Sequence, residues 1–456
     1  MYRNKDVEAI KNIMPELSDK IQEKKLMILD PNIQEINQVN SIIHNFIKNK
    51  KRVVYGGFAQ NILIGKKNKE DEFYGKLDTP DIEFYTPTPI EDMIELCNTL
   101  YKKGFQRVQG QEGVHNETYK VFVNFEDYCD ISYMPRNIYN QIPTRMIDGM
   151  RITDPLFMLI DSFRVYSDPM TSWWRIEKSF KRTELILKHY PIPKNDSKLK
   201  IKFETKPDSK IKSILRYIRK RIFHKMESLV VIGFYAYNYY MKKAKLPNLL
   251  VLEPYYDLIS IDYNNDIQKI YDILKAKYGK DLTTKEFYPF FQFTGKSTMY
   301  LYNGKKILQV YDRNNRCIVF NMSQHKKVKI GTLQLLILYV LIGLAYSQIN
   351  KIRFEEFNFK IMLSNLIYAR DTYLERNNLT IVDKSPFMEF SIDCIGETIE
   401  QTRIQRLQIE ERKKKKKPLV FRYEPTNKEK KIPNYVFDNS SGNQVTNSKY
   451  TLIKNK

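Results

Sequence analysis

Cysteine and histidine are scarce in this sequence. It holds 4 Cys and 5 His in 456 residues. Cys97, Cys129, Cys317 and Cys394 stand far from one another, none at metal-ligand spacing, so no zinc centre is expected. So thin and scattered a set reads as a reducing compartment rather than a disulfide framework. Tryptophan is rarer still, at 2 residues against 32 Tyr and 25 Phe. The N-terminal MYRNKDVEAIKN lacks the apolar segment of a signal peptide. The most apolar run, Leu333 to Ala345, is too short to span a bilayer and reads as a buried helix. No membrane association is expected.

Negative charge is also in short supply. Lys and Arg total 76 and Asp and Glu 53, a formal net charge of +23. Residues 401–456 carry 15 basic and 5 acidic side chains, or +10, which leaves +13 on the remainder. A basic body predicts a polyanionic partner, nucleic acid above all; the plainer alternative is a solvated lysine-rich surface. With 42% hydrophobic residues the chain has ample apolar surface to bury, and its length predicts two or three domains.

The pattern along the chain is α+β. Residues 1–50 read as a helical segment, with Ile10, Ile13, Ile43 and Ile47 at helical spacing. Residues 51–193 alternate strands and helices: RVVY, then GG, then the helix start FAQNILI; the strand DIEFYT; an amphipathic helix ending near Gly104; the strands YKVFVNF and YCDISYM; and helical pattern from Asp154 to Tyr190. Residues 194–210 read as a polar linker. The stretch 211–400 then echoes the first in order. VVIGFYAYNYYM resembles VVYGGFAQNILI, and YDLISIDYNNDIQKIYDIL resembles PDIEFYTPTPIEDMIELCNTL. KILQVYDRN resembles YCDISYMPRN, and VKIGTLQLLIL resembles MRITDPLFMLI. Two related units are expected. Residues 401–456, with an unbroken lysine run at 413–417, read as a disordered basic tail. RNA binding, nuclear import and plain solvation are equal readings of it.

One constellation carries chemistry. Gly56 and Gly57 lie between a strand and a helix, where backbone amides can approach phosphate oxygens and the helix N-terminus favours an anion; a tight turn explains the pair as well. Asp81 and Glu83 are two apart on a strand, so both carboxylates share one face while Ile82 and Phe84 enter the core. Adjacent carboxylates repel unless a cation lies between them, and Mg²⁺ takes such hard oxygen ligands. Asp130, in a neighbouring apolar strand, is the third candidate, with Asp127 and Glu126 as rivals through a register error and Asp78 as a lesser rival to Asp81. Three carboxylates from two strands can hold two metals about 3.5–4 Å apart.

Together, VVYGGFAQNILI, PDIEFYTP and YCDISYMP resemble the polymerase-β-type nucleotidyltransferase superfamily. Within it they resemble the poly(A) polymerase catalytic subunits of poxviruses and other large cytoplasmic DNA viruses. The resemblance covers roughly residues 51–190 and extends more loosely beyond. It implies a catalytic nucleotidyltransferase domain followed by a degenerate, inactive one. It implies template-independent addition of AMP from ATP to RNA 3′ ends, with release of pyrophosphate. Asp81, Glu83 and Asp130 would bind two Mg²⁺ (or Mn²⁺) ions and Gly56 and Gly57 the ATP phosphates. It also implies residence in the virion and host cytoplasm, and either a homodimer or a separate processivity subunit. Two departures stand out: Gly-Gly where many members have Gly-Ser, and Asp-x-Glu where many have Asp-x-Asp.

In the second unit Asp257 aligns with Asp81, Ile259 with Glu83, and Leu308 or Gln309 with Asp130; Gly233-Phe234 replaces the glycine pair. Arg175, Lys178 and Arg182 share a helix face, from which Lys178 and Arg182 are candidate nucleotide-binding residues; RNA backbone contact and a solvated face are the alternatives. Trp173 and Trp174 read as core packing ahead of base stacking. TGKS at 294–297 resembles the end of a P-loop, but Phe290 stands where its first glycine is required, so it is rejected. The rival readings of function are a nucleotidyltransferase with another acceptor, such as a tRNA 3′ end, and a non-catalytic RNA-binding scaffold.

Overall fold

In a computed structural model of the chain, residues 3–29, 33–75, 78, 80–115, 117–193, 199–203, 207–313, 316–323, 328–416, 420–426, 437 and 439–445 are described. They form two compact units. One comprises Met1–Tyr133, Arg145–Ile152 and Pro418–Pro433; the other comprises Met134–Thr144, Thr153–Lys417 and Asn434–Lys456.

The first unit begins with helices α1 (Asn4–Leu29) and α2 (Ile33–Lys50). α2 buries Val39, Ile43, Phe46 and Ile47 along one face, whereas Ile10 and Ile13 of α1 are exposed. Strand β1 (Val53–Tyr55) follows and runs directly into helix α3 (Gly56–Gly65). Next come β2 (Ile82–Thr86), helix α4 (Pro89–Lys102), β3 (Gln109–Glu112), β4 (Thr118–Val123), β5 (Glu126–Tyr133), β6 (Thr144–Ile147) and β7 (Met150–Thr153). They assemble in the order β3-β4-β5-β2-β1-β7-β6. β1 is only three residues long but central: it pairs antiparallel with β2 and parallel with β7, and Val53 and Val54 are fully buried. α4 buries Met93, Leu96, Cys97 and Leu100. Gly104, at φ +95, follows its end as a left-handed cap residue.

The second unit repeats the plan. Its strands are β8 (Leu229–Ile232), β9 (Tyr256–Ser260), β10 (Leu282–Phe287), β11 (Ser297–Tyr302), β12 (Lys305–Asp312), β13 (Ile318–Met322), β14 (Lys329–Gly331) and β15 (Cys394–Ile395). The first seven lie in the order β10-β11-β12-β9-β8-β14-β13, which is the order of the first sheet strand for strand. The senses agree too: β5 and β12 run parallel to β2 and β9, and β1 and β8 run antiparallel to them. The fold is therefore α+β with a duplicated unit. The apolar run lies in the helix Leu333–Ile349, of which Leu335, Leu336, Ile337 and Leu338 are all buried. No helix among the described residues is long and apolar enough to cross a membrane.

The structure departs from the sequence reading in three places. The helices Pro155–Tyr166 and Ile176–His189 belong to the second compact unit, where Pro155–Tyr166 packs against Leu333–Ile349; the sequence pattern placed them with residues 51–153. The expected linker 194–210 lies partly outside the described residues, and its described part is held: Asn358 accepts from Lys202 N at 2.9 Å and donates to Lys202 O at 2.7 Å. The tail is not wholly disordered. Helix Gln401–Lys414 is followed by β16 (Arg422–Tyr423), which pairs antiparallel with β3 and buries Phe421. Farther on, Val445 N donates to Glu286 O at 2.8 Å. Short β segments with an aromatic residue earned order that charge composition concealed.

The cysteine reading also changes. Cys317 and Cys394 form a disulfide that joins the β13 and β15 region, while Cys97 and Cys129 are free and buried. A 77-residue separation hid a pair that the sheet brings together.

A buried ion pair ties β1 to α4. Arg52 donates to Asp92 Oδ1 at 2.7 Å, with side chains 15% and 3% exposed. Removing one partner leaves the other as an uncompensated buried charge. Asp92→Ala is expected to lower stability by about 3 kcal/mol in urea unfolding, and the double variant Asp92→Leu/Arg52→Met to recover most of that loss.

Candidate active site

The site grows from the turn between β1 and α3. Gly56 has φ +71, a left-handed conformation that glycine adopts without penalty. A Cβ at this position would overlap the Glu83 carboxylate. Tyr55 lies opposite Glu83 in the antiparallel pair, so the end of β1 delivers the helix start onto that carboxylate. Glu83 Oε2 accepts from Gly57 N at 2.9 Å. No side chain of the N-cap residue Tyr55 caps α3; the carboxylate from β2 does so instead, favoured by the partial positive charge at the helix start. Of the two amides expected to face phosphate, Gly57 N–H is therefore engaged with Glu83.

Across the sheet a row of residues lies in register: Tyr55, Glu83, Asp130 and Lys120, on β1, β2, β5 and β4. Asp81 immediately precedes β2 and shares the face of Glu83 by period two. Asp127 and Asp130 are three apart, which in a regular strand sends them to opposite faces. Here β4 pairs Val121 with Cys129 and then Phe122 with Asp127, so Tyr128 is an extra residue in a β-bulge. Tyr128 and Cys129 are both buried in succession, and both aspartates reach the same lysine. Lys120 Nζ contacts Asp127 and lies 2.7 Å from Asp130 Oδ1.

Burial pushes the Asp127 carboxyl up to about 6; Lys120 opposes that shift, and the nearby charges of Asp130 and Asp81 add to it. Burial works against the charge on Lys120, but its bonds to Asp127 and Asp130 outweigh this and raise its pKa. The donor set suits a hard divalent cation: it is all carboxylate oxygen, and Asp127 Oδ1 is buried with no hydrogen-bond partner. Among the described residues no three such side chains stand close enough to hold an ion together. Lys120 takes Asp127 and Asp130, and Gly57 takes Glu83.

Sequence reasoning brought Asp81, Glu83 and Asp130 to adjacent strands; the structure pairs Glu83 with Asp130 across β2 and β5 and leaves Asp81 just before β2. It missed Lys120 and treated Asp127 only as a register rival. The available signal was two acids at odd spacing around two apolar residues, the mark of a bulge. Glu126 is exposed at the start of β5, and Asp78 accepts from Gly75 N at 2.6 Å. Lys178 and Arg182 lie on helix Ile176–His189 of the other unit, Lys178 exposed and Arg182 half-buried.

The second unit keeps the architecture and changes the chemistry. Gly233 has φ +62, and a Cβ there would crowd the Asp257 carboxylate. Ile232 lies opposite Asp257 as Tyr55 lies opposite Glu83. Asp257 thus corresponds to Glu83, and Tyr255 to Asp81, a shift of two from the sequence alignment. Gln309 lies opposite Asp257 and corresponds to Asp130. The bulge recurs, with Ile307 in the place of Tyr128, so Lys306 corresponds to Asp127. Lys306 Nζ bonds Asp257 at 2.9 Å and lies 3.8 Å from the Tyr255 ring centroid. An ammonium on the chain fills the position where the first unit holds an acid.

Gly56→Ala forces a left-handed alanine and displaces Glu83. It is expected to cost about 2 kcal/mol or more in urea unfolding. Gly104→Ala, at φ +95 with open space around it, is expected to cost less, the difference reporting the carboxylate overlap.

Comparison with known proteins shows the family. A family model described as "Poly(A) polymerase catalytic subunit" matches residues 41–172, and one described as "APMV, Putative poly(A) polymerase, catalytic subunit, C-terminal" matches residues 184–455. A protein of that description from Acanthamoeba polyphaga mimivirus is 34% identical over 99% of this chain and 84% of its own length. One from African swine fever virus is 32% identical over 36% of this chain and 35% of its own. The crystal structure of the Megavirus polyadenylate synthase is similar over 99% of this chain and 94% of its own, with a TM-score of 0.93 and 36% identity. Matched by these family models and by a relative along nearly its whole length, this chain belongs to the family of viral poly(A) polymerase catalytic subunits.

Proposed function

We propose that the chain adds adenylate from ATP to RNA 3′ ends without a template. The observation that carries this reading is the carboxylate row of Glu83 and Asp130 beside Asp81, set against the N-terminus of α3. In the reaction the RNA 3′-hydroxyl gives up its proton to solvent as its oxygen forms a bond to the α-phosphorus of ATP, the α–β phosphoanhydride bond breaks, and pyrophosphate leaves. Asp81, Glu83 and Asp130 are the residues that would hold Mg²⁺ or Mn²⁺. Such ions, when bound, lower the pKa of the attacking hydroxyl and offset charge on the triphosphate and leaving group.

The chain's own residues have separable tasks. Glu83 and Gly57 are coupled: as the Glu83 carboxylate turns from the helix start, the Gly57 N–H is released to donate to a phosphate oxygen. Gly56 leaves the space in which that carboxylate moves. Lys120 holds Asp127 and Asp130 to one face and keeps their repulsion from splaying the strands. The second unit, with Lys306 bonded to Asp257 and Gln309 in place of an acid, offers no carboxylate set and serves as a scaffold.

Two outcomes check this reading. Purified protein with labelled RNA, Mg²⁺ and each NTP separately is expected to give long ladders with ATP alone. Asp81→Ala is expected to slow extension by about 100-fold or more while leaving RNA affinity nearly unchanged. Addition of a few residues from CTP would instead indicate a tRNA-type acceptor, and full activity in Asp81→Ala would overturn the site. Second, Mn²⁺ binding to the protein, followed by electron paramagnetic resonance, is expected to weaken as pH falls through about 6. A carboxyl with a raised pKa is ionised above that value and neutral below it, and a neutral Asp127 no longer adds its charge to the cation site.

A further inference from the structure

Both tryptophans of the chain are on its surface. Trp173 is 70% exposed and Trp174 60%, with Met170 beside them at 60%. Indole is highly buried on average in folded proteins, so the core-packing reading of this pair fails. The three-residue turn Trp173–Arg175 leads straight into helix Ile176–His189. The Arg175 guanidinium carbon lies 4.4 Å from the Trp174 ring centroid, within cation–π range. The next turn exposes Lys178. Between residues 170 and 190 the chain carries Arg175, Lys178, Lys181, Arg182 and Lys188 against Glu177 and Glu184, a net +3. Lys181 is paired with Glu177 at 2.8 Å, and Arg175 and Lys178 are the cations nearest the tryptophans along the chain.

We propose that Trp173, Trp174 and Arg175 form a stacking platform for single-stranded RNA, with Lys178 on its phosphates. Exposed aromatic rings interleaved with cations are what an unpaired strand requires: π-faces for the bases and positive charge for the backbone. A second copy of the chain is the poorer occupant, because an isologous contact brings the same positively charged patch to both sides of the interface. The inference rests on the reading that RNA is the acceptor. It adds a surface that grips the primer independently of the carboxylate site.

With only 2 tryptophans in the chain, fluorescence excited selectively at tryptophan, beyond the absorption of tyrosine, reports on this surface alone. Titration of the full chain with a short oligoadenylate RNA is expected to quench that emission. Labelled-RNA anisotropy is expected to show binding weakened about tenfold in Trp173→Ala and in Trp174→Ala, with thermal melting unchanged. Lys178→Ala is expected to reduce the slope of log affinity against log salt by about 0.7. RNA binding with unaltered emission, and with native affinity in both alanine variants, would overturn the platform. So would a dimer in sedimentation whose tryptophans are shielded from acrylamide before RNA is added, and so would an absence of RNA binding. Primer extension by Asp81→Ala separates the two readings: extension that persists there removes the catalytic assignment and leaves the fluorescence result standing.

Discussion

Carboxylates gathered on one sheet face repel one another, and both units are arranged around that repulsion. In the first unit the charges of Asp81 and Asp130 help to raise the Asp127 carboxyl, and burial raises it further. Two local devices offset the cost. The Lys120 ammonium lies between Asp127 and Asp130, and the amide of Gly57 at the helix start receives Glu83.

The second unit shows the other solution to the same problem. It retains the strand order, the left-handed glycine and the bulge, at Gly233 and Ile307. It replaces Asp127 by Lys306 and Asp130 by Gln309, and Lys306 bonds the remaining carboxylate, Asp257. Here one acid and one lysine pair with each other, and among the described residues no second carboxylate stands beside them in the row to repel. The comparison isolates what the chemistry needs from what the fold needs. Glycine at φ above zero and the bulge recur because the turn and the strand path require them; the carboxylate beside the glycine turn recurs as Asp257, whereas the acids of the next strand, Asp127 and Asp130, do not.

Much of this was legible in the sequence, for identifiable reasons. Period-two spacing placed Asp81 and Glu83 on one face, and the apolar flanks of Asp130 marked its strand. The ordered echoes revealed the duplication. The two-residue slip that matched Asp257 to Asp81 went unseen because a shift of two preserves the face of every side chain. The pairing of Cys317 with Cys394, the ordered strand at Arg422–Tyr423 and the grouping of Pro155–Tyr166 with the second unit all depend on contacts between distant segments. Local pattern carries no such information.

The sequence by itself determined the α+β alternation, the duplicated order and the basic character, because periodicity, charge and turn chemistry are properties of neighbouring residues. Only the tertiary structure decided which acids meet. The Tyr128 bulge turns Asp127 onto the face of Asp130, and the register of β4 on β5 sets Lys120 opposite them. It also decided that Trp173 and Trp174 face solvent. Strand register and burial follow from the packing of the whole chain, where a single inserted residue reverses the direction of everything beyond it.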